Sequence, residues 1–254
     1  MNLQNIYRKS PSFRSIWNIS WPIIIANLAI PMVTAIDTAV MGRENSSTFI
    51  AAIALGGIVF NIVYFSLNFL RMTTTGLVSQ EKGKENYEGI KSIISLSLSI
   101  AIIIGIVIII FVNPIINSSK FFISGSQLSE TLMSEYIYYR SFAAPATLMN
   151  MVLLGVFIGI GSTKSAMAQL IFISVLNAFL SIVFVVIFNL GVMGVALGTV
   201  IAQWSGWLLS ITILKNLVRY ETFNINSLFN IYFFRDKNFI LIFNISIDFF
   251  IRTL

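Results

Sequence analysis

From Ser92 to Val112 the chain carries no ionisable side chain, and this stretch ends in the run AIIIGIVIIIFV. About 20 apolar residues is the length a helix needs to cross the hydrocarbon core of a bilayer. A helix also meets its own backbone hydrogen-bonding needs where no water can. The Asn113-Pro114 pair closes the run, because proline cannot continue a helix interior. Segments at about 16–41, 49–78, 136–160, 166–188 and 194–214 share the pattern of 92–112. With 57% apolar and 10% charged residues, far from the balance of a soluble domain, an all-α, polytopic membrane protein with six transmembrane helices is expected.

The polar segments between these spans suggest an organisation. Residues 1–15 are expected to be a cytoplasmic N-terminus, and the first span is expected to be retained, since it lacks a small-residue cleavage site and contains Pro22, Pro31 and Asp37. Gln80 to Lys91 reads as a solvated charged loop, Ile115 to Met133 as an interfacial loop or short surface helix, and Gly161 to Lys164 as a tight turn. Pro145 is expected to kink the fourth span. The short link Asn189 to Met193 makes the fifth and sixth spans antiparallel neighbours. Residues 215–238 read as a cytoplasmic amphipathic connector, and 239–254 as an apolar segment that stops before it could span. One side of this arrangement gathers Arg8, Lys9, Arg14, Lys82, Lys84, Lys91, Lys164, Lys215, Arg219, Arg235 and Lys237, while the other receives Arg43 and Lys120. The positive-inside rule then places the N-terminus and the connector in the cytoplasm.

The chain has no cysteine and no histidine, which removes disulfide frameworks, thiol nucleophiles, imidazole acid–base chemistry and zinc sites together. No nucleophile–base pair or cofactor loop is visible, so an enzyme is not expected. The net charge of +6 is scattered between apolar runs and builds no nucleic-acid face. Carboxylates and amides are left to carry the function.

Asp37 lies near the end of the first span. An ionisable group at membrane depth usually faces a cavity and marks an ion, proton or substrate path; at the headgroup level it would cost little and mean less. Asn177 and Ser181 share one helical face in the fifth span, and Thr199 with Gln203 repeats that spacing in the sixth. Oxygen-bearing side chains on adjacent helices can complete the shell of a hard cation, and they also serve as plain interhelical glue. Arg71 and Arg140 are the other charges inside apolar stretches, and either could snorkel to a surface.

The segments WPIIIANLAIPMVTAIDTAVMG, FLRMTTTGLVSQ, APATLMNMVLLGVFIGIGSTK and GVMGVALGTVIAQW, in this order and spacing, resemble the multidrug and toxic compound extrusion (MATE) transporters. Within that family they are similar to the bacterial branch of DNA-damage-inducible protein F. The resemblance runs from about Trp17 to Leu254 and implies one six-helix lobe of a two-lobe, twelve-helix protein, followed by the truncated start of a seventh helix. It implies a secondary active transporter of the bacterial inner membrane that exports amphipathic or cationic compounds in exchange for protons or sodium, with no cofactor beyond the coupling ion. Asp37 matches the family's first-helix carboxylate, Asn177 and Thr199 match further members of its cation or sodium site, and Pro22 matches a proline associated with bending of the first helix. At Ser181 related proteins commonly carry a second carboxylate, so a sodium site here would be weakened. Asn150, Gln203 and Arg140 are candidates to line the substrate cleft. The implied partners are the lipid bilayer, a small amphipathic substrate, and either the absent C-lobe or a second copy of the chain. A lipid-linked oligosaccharide flippase of the same superfamily, or an inactive truncated fragment, are the alternatives.

Overall fold

In the computed structural model, the described residues are 47–122 and 126–217, with Phe13, Trp17, Ser20, Trp21, Ile24, Ile25, Leu28, Ile36 and Ala39 of the first segment, all nine of them helical. Asp37 and Pro22, most of the expected span 16–41, the connector 215–238 beyond Leu217, and the segment 239–254 lie outside the described residues.

Helix α1 (Ser47–Ser66) leads into α2 (Phe69–Gly83), and together they form one apolar span of 36 residues, Thr48–Gly83, interrupted at Leu67 and Asn68. Helix α3 (Tyr87–Ile110) follows after three residues. The expected loop from Gln80 to Lys91 thus shrinks to Lys84–Asn86. The side chains there explain why. Asn86 caps α3 by accepting the Gly89 N–H at 3.1 Å, and the Glu81 carboxylate gathers Lys84 at 2.6 Å and Asn86 at 2.5 Å, so the charges fit on helix ends.

Helix α4 (Val112–Phe122) takes up Pro114 in its first turn, where a missing N–H costs nothing. Helix α5 (Gln127–Ser141), capped by Ser126 accepting the Ser129 N–H at 3.2 Å, and helix α6 (Ala144–Gly159) meet at a bend of 56°. Pro145 stands in the first turn of α6, at the position expected to kink. A broken helix leaves carbonyls without intrahelical donors, and in hydrocarbon these must find partners. The indole Nε1 of Trp204 donates to the Phe142 carbonyl at 3.1 Å, and Lys82 Nζ donates to the Ile160 carbonyl past the end of α6.

Helix α7 (Thr163–Ile182) passes into a π-helical turn (Val183–Ile187), and a short link with Asn189 and Gly191 at positive φ reverses the chain into α8 (Gly191–Leu217). Among the described residues four helices are long and apolar enough to cross a membrane, or five when the bent pair α5–α6 counts as one span. No described residue lies in a strand. The protein is therefore an all-α, polytopic membrane protein.

Exposed Ile58, Ile62 and Phe65 on α1, Ile103, Ile106 and Ile110 on α3, and Val175 and Phe179 on α7 make the outer surface apolar. Buried Thr73, Thr74, Ser97, Asn150 and Gln169 put polar groups inside. The helices approach closely where residues are small. A Cβ on Gly155 would come within 2.6 Å of the Arg71 carbonyl oxygen, and one on Gly159 within 2.9 Å of that of Thr75, so α6 lies directly on α2. The largest core cluster joins α2, α3 and α6 through Leu77, Val78, Ile94, Leu98, Val152 and Phe157. Separate clusters join α1, α4 and α5 through Phe60, Ile116 and Met133, and α5 with α8 through Tyr136 and Val195. The helix break at Phe142–Ala143 falls between two of these clusters, while the largest cluster reaches across the break at Leu67–Asn68 through Val63, Leu67 and Leu70.

Candidate functional site

Two polar constellations lie along the interior of α7. The outer one uses Asn177, Ser181 and Thr199. Asn177 Nδ2 donates to the Thr199 hydroxyl oxygen at 2.9 Å, and that hydroxyl donates onward to the Val195 carbonyl at 3.1 Å. Asn177 and Ser181 are 5% and 0% exposed, yet Asn177 Oδ1 and Ser181 Oγ have no hydrogen-bond partner among the described residues. Buried polar atoms are ordinarily paired, and these two find no partner among the described residues. Helices α7 and α8 touch here, since a Cβ on Gly198 would lie 3.1 Å from the Ser181 backbone nitrogen. The three residues named from their spacing are thus brought together.

The fourth member of that spacing pattern belongs elsewhere. Gln203 is drawn to Asn150, whose Nδ2 donates to the Gln203 backbone carbonyl at 2.8 Å and to its Oε1 at 2.9 Å. Gln169 completes the inner constellation by donating to the Asn150 carbonyl at 3.0 Å and to Asn150 Oδ1 at 3.2 Å. This amide cluster ties α6, α7 and α8 together. It sits eight residues before Asn177 along α7, about 12 Å at 1.5 Å per residue. Gln169 was not singled out from the sequence; its signal was a lone amide in the apolar run AQLIFISV.

Arg140 occupies a third place. Its guanidinium lies over the Phe60 ring at 5.0 Å and the Tyr136 ring at 5.3 Å, and its Nη1 donates to the Tyr136 hydroxyl. Tyr136 is 1% exposed and packs in the cluster of Val185, Val192, Val195 and Ala196, against which Ile36 also rests. The position before Asp37 therefore lies against this cluster.

The outer constellation supplies two free oxygens and no charge, and no group of three or more His, Cys, Asp or Glu side chains among the described residues could hold a metal. Hard cations take about six or more oxygens, several of them carboxylates. These residues alone do not make such a shell.

An all-helical lobe with an apolar exterior and a buried seam of amides and hydroxyls defines a polytopic transporter-like membrane protein. Comparison with known proteins gives the family. The MatE family model matches residues 22–183, and the chain belongs to the MATE family, a family of transporters and not of enzymes. It is 29% identical over 208 residues to DNA damage-inducible protein F of Escherichia coli K12, covering 82% of this chain and 45% of that protein. It is 25% identical over 197 residues to the multidrug export protein MepA of Staphylococcus aureus, covering 78% and 44%. The chain spans about half the length of the curated relatives it matches. Among solved structures, a MOP superfamily transporter from Pyrococcus furiosus aligns with a TM-score of 0.78 at 20% identity, over 92% of this chain and 51% of that one. An outward-facing multidrug resistance MATE family transporter aligns at 0.76 and 21%, over 90% and 49%. These likenesses show the fold.

Proposed function

We propose that this chain is the N-terminal lobe of a cation-coupled multidrug exporter of the bacterial inner membrane, with its N-terminus in the cytoplasm. The observation that carries the reading is the pair of buried oxygens on Asn177 and Ser181 that have no partner among the described residues, beside the Thr199 hydroxyl. In this reading Asp37 supplies the one charge the described oxygens lack. Cation or proton binding at Asp37, Asn177, Thr199 and Ser181 biases the lobe between two arrangements, and Pro22 lets the first helix bend between them. The transported compound is amphipathic or cationic, and it passes through a cleft completed by a second lobe or a second copy of the chain. In that cleft Asn150, Gln203 and Arg140 are the candidate contacts. Membership of the MATE family, whose relatives here include an export protein, supports efflux over the flippase alternative. So does the scarcity of basic side chains: away from their ends the described spans carry Arg71 and Arg140, while Lys82, Lys91, Lys164 and Lys215 stand at span ends.

The test is efflux of a cationic dye from cells carrying the complete two-lobe form, with Asp37→Asn compared to wild type. Loss of accumulation control to the level of empty cells is expected. Undiminished efflux would remove Asp37 from the mechanism and with it the coupling assigned to this lobe.

A further inference from the structure

Arg71 stands in the first turn of α2, within the span Thr48–Gly83, and it is half-buried. Its backbone carbonyl accepts the Thr75 hydroxyl at 2.8 Å. Among the described residues its guanidinium makes no hydrogen bond, ion pair or ring contact. The charges of Glu81 and Lys82 mark where α2 leaves the hydrocarbon. Arg71 lies eleven residues before Lys82, about 16 Å along the axis at 1.5 Å per residue. That is about half the thickness of a hydrocarbon core of roughly 30 Å, and it is too far for snorkelling to the charged end. A helical side chain also leans back toward its helix N-terminus, so the guanidinium points away from that end, toward the break at Leu67–Asn68. Asn68, one turn earlier on the same side of the helix, does not use its carboxamide to cap α2.

The surface beside Arg71 differs from the lipid-facing one. On α1 the exposed positions include Ile58, Ile62 and Phe65. On α2 they are Met72, Gly76, Ser79, Gln80, Lys82 and Gly83, and a Cβ on Gly76 would meet nothing within 4 Å. Small and polar groups left open over this length fit a water-filled cleft, which is where an ionised side chain at membrane depth belongs. A fixed positive charge in a cleft with low-dielectric walls draws anions to it.

We infer that Arg71 is the anion contact of the transport path, and that the compound it serves is an amphipath carrying a carboxylate. This deepens the export reading above and rests on it. A guanidinium grips a carboxylate through two parallel hydrogen bonds and keeps its charge at every physiological pH. Anionic lipid headgroups lie at the membrane surface, half a bilayer from Arg71. A pyrophosphate would call for several cations. The next basic side chain along α2, Lys82, stands about 16 Å away and donates to the Ile160 carbonyl. One carboxylate on an apolar body matches a single guanidinium at this depth. Arg71 is thus a specificity-determining residue, selecting zwitterionic or anionic amphipaths over purely cationic ones.

The probes are rhodamine B and its ethyl ester, which share a cationic apolar body and differ in one carboxylate. Their binding to the 254-residue chain in nanodiscs of zwitterionic lipid is read by fluorescence anisotropy, against empty nanodiscs. Wild type should bind the acid roughly ten- to a hundredfold more tightly than the ester, the range of a hydrogen bond to a charged group. Arg71→Gln should bind the two alike. Wild type binding the two dyes alike would leave the guanidinium to a carboxylate of a second lobe and overturns the proposal, as does a preference that survives Arg71→Gln. Should Arg71→Gln not fold, wild type alone decides: octanoate should displace rhodamine B where octanol at the same concentration does not, and equal displacement by both overturns the proposal. Asp37→Asn, which tests the coupling, should leave the acid preference in place. Undiminished efflux from Asp37→Asn together with that preference defeats the coupling alone. Efflux lost in Asp37→Asn, with no preference in wild type, defeats this inference alone.

Discussion

Replacing Asn150 by leucine should cost more than replacing any other single member of the inner amide cluster. The leucine side chain keeps asparagine's number and branching of heavy atoms but removes two donated bonds, to the Gln203 carbonyl and Oε1, and one accepted bond, from Gln169 Nε2. Interhelical hydrogen bonds inside membranes average about 0.6 kcal/mol each and reach about 1.7, so the three together predict a loss of about 2 kcal/mol. Gln203→Leu removes a single one of these bonds, because the backbone carbonyl of residue 203 remains, and should cost about 0.6 kcal/mol. Reversible unfolding of the chain in mixed micelles by increasing detergent denaturant, followed by helical circular dichroism, measures both. The double variant completes a cycle whose coupling should match the one shared side-chain bond. Equal losses for the two single variants, or a loss at Asn150 below about 0.5 kcal/mol, would refute the idea that this cluster ties three helices together.

Other outcomes follow from the same contacts. Gly155→Val places a branched side chain where even a Cβ would lie 2.6 Å from the Arg71 carbonyl; overpacking of this kind costs about 1–3 kcal/mol or more, and a failure to recover folded monomer by size exclusion in detergent is expected. Trp204→Phe leaves the Phe142 carbonyl at the helix bend without its donor and should lower stability by about 1–3 kcal/mol in the same unfolding assay, with an unchanged helix content at low denaturant. Asn86→Ala removes the cap of α3 and should cost about 1 kcal/mol, with faster amide hydrogen exchange confined to the first turn of that helix. Ser181→Asp buries a carboxylate on the face it shares with Asn177; its destabilisation should be relieved as pH is lowered, since the neutral acid is what an apolar site accepts.

The broad plan was legible in the sequence because hydrocarbon enforces it: long uncharged runs become helices and charges collect between them. Asn177 and Thr199 could be paired in advance, since α7 and α8 are joined by a link too short to let them separate. Pro145 announced the bend between α5 and α6. Other features were hidden. The charged residues Glu81 and Lys82 belong to α2 because their side chains find partners at helix ends, which a count of charges does not anticipate. The partner of Gln203 is Asn150, on a helix far away in the chain, and spacing along one helix cannot say which face of another will meet it. The placement of Arg140 between two aromatic rings depends on Phe60 from α1, so hydropathy alone left it free to snorkel.

The two helix breaks have a mechanical consequence. Leu67–Asn68 and Phe142–Ala143 interrupt neighbouring spans near their middles. Bilayers differ in thickness by a few ångström, and a spanning protein meets the difference by tilting or kinking at modest cost per ångström. A lobe scored across its middle deforms along the score, so membrane compression would be absorbed at these two joints. The close seams of α6 on α2 and of α7 on α8 would travel through such a change as stiff plates.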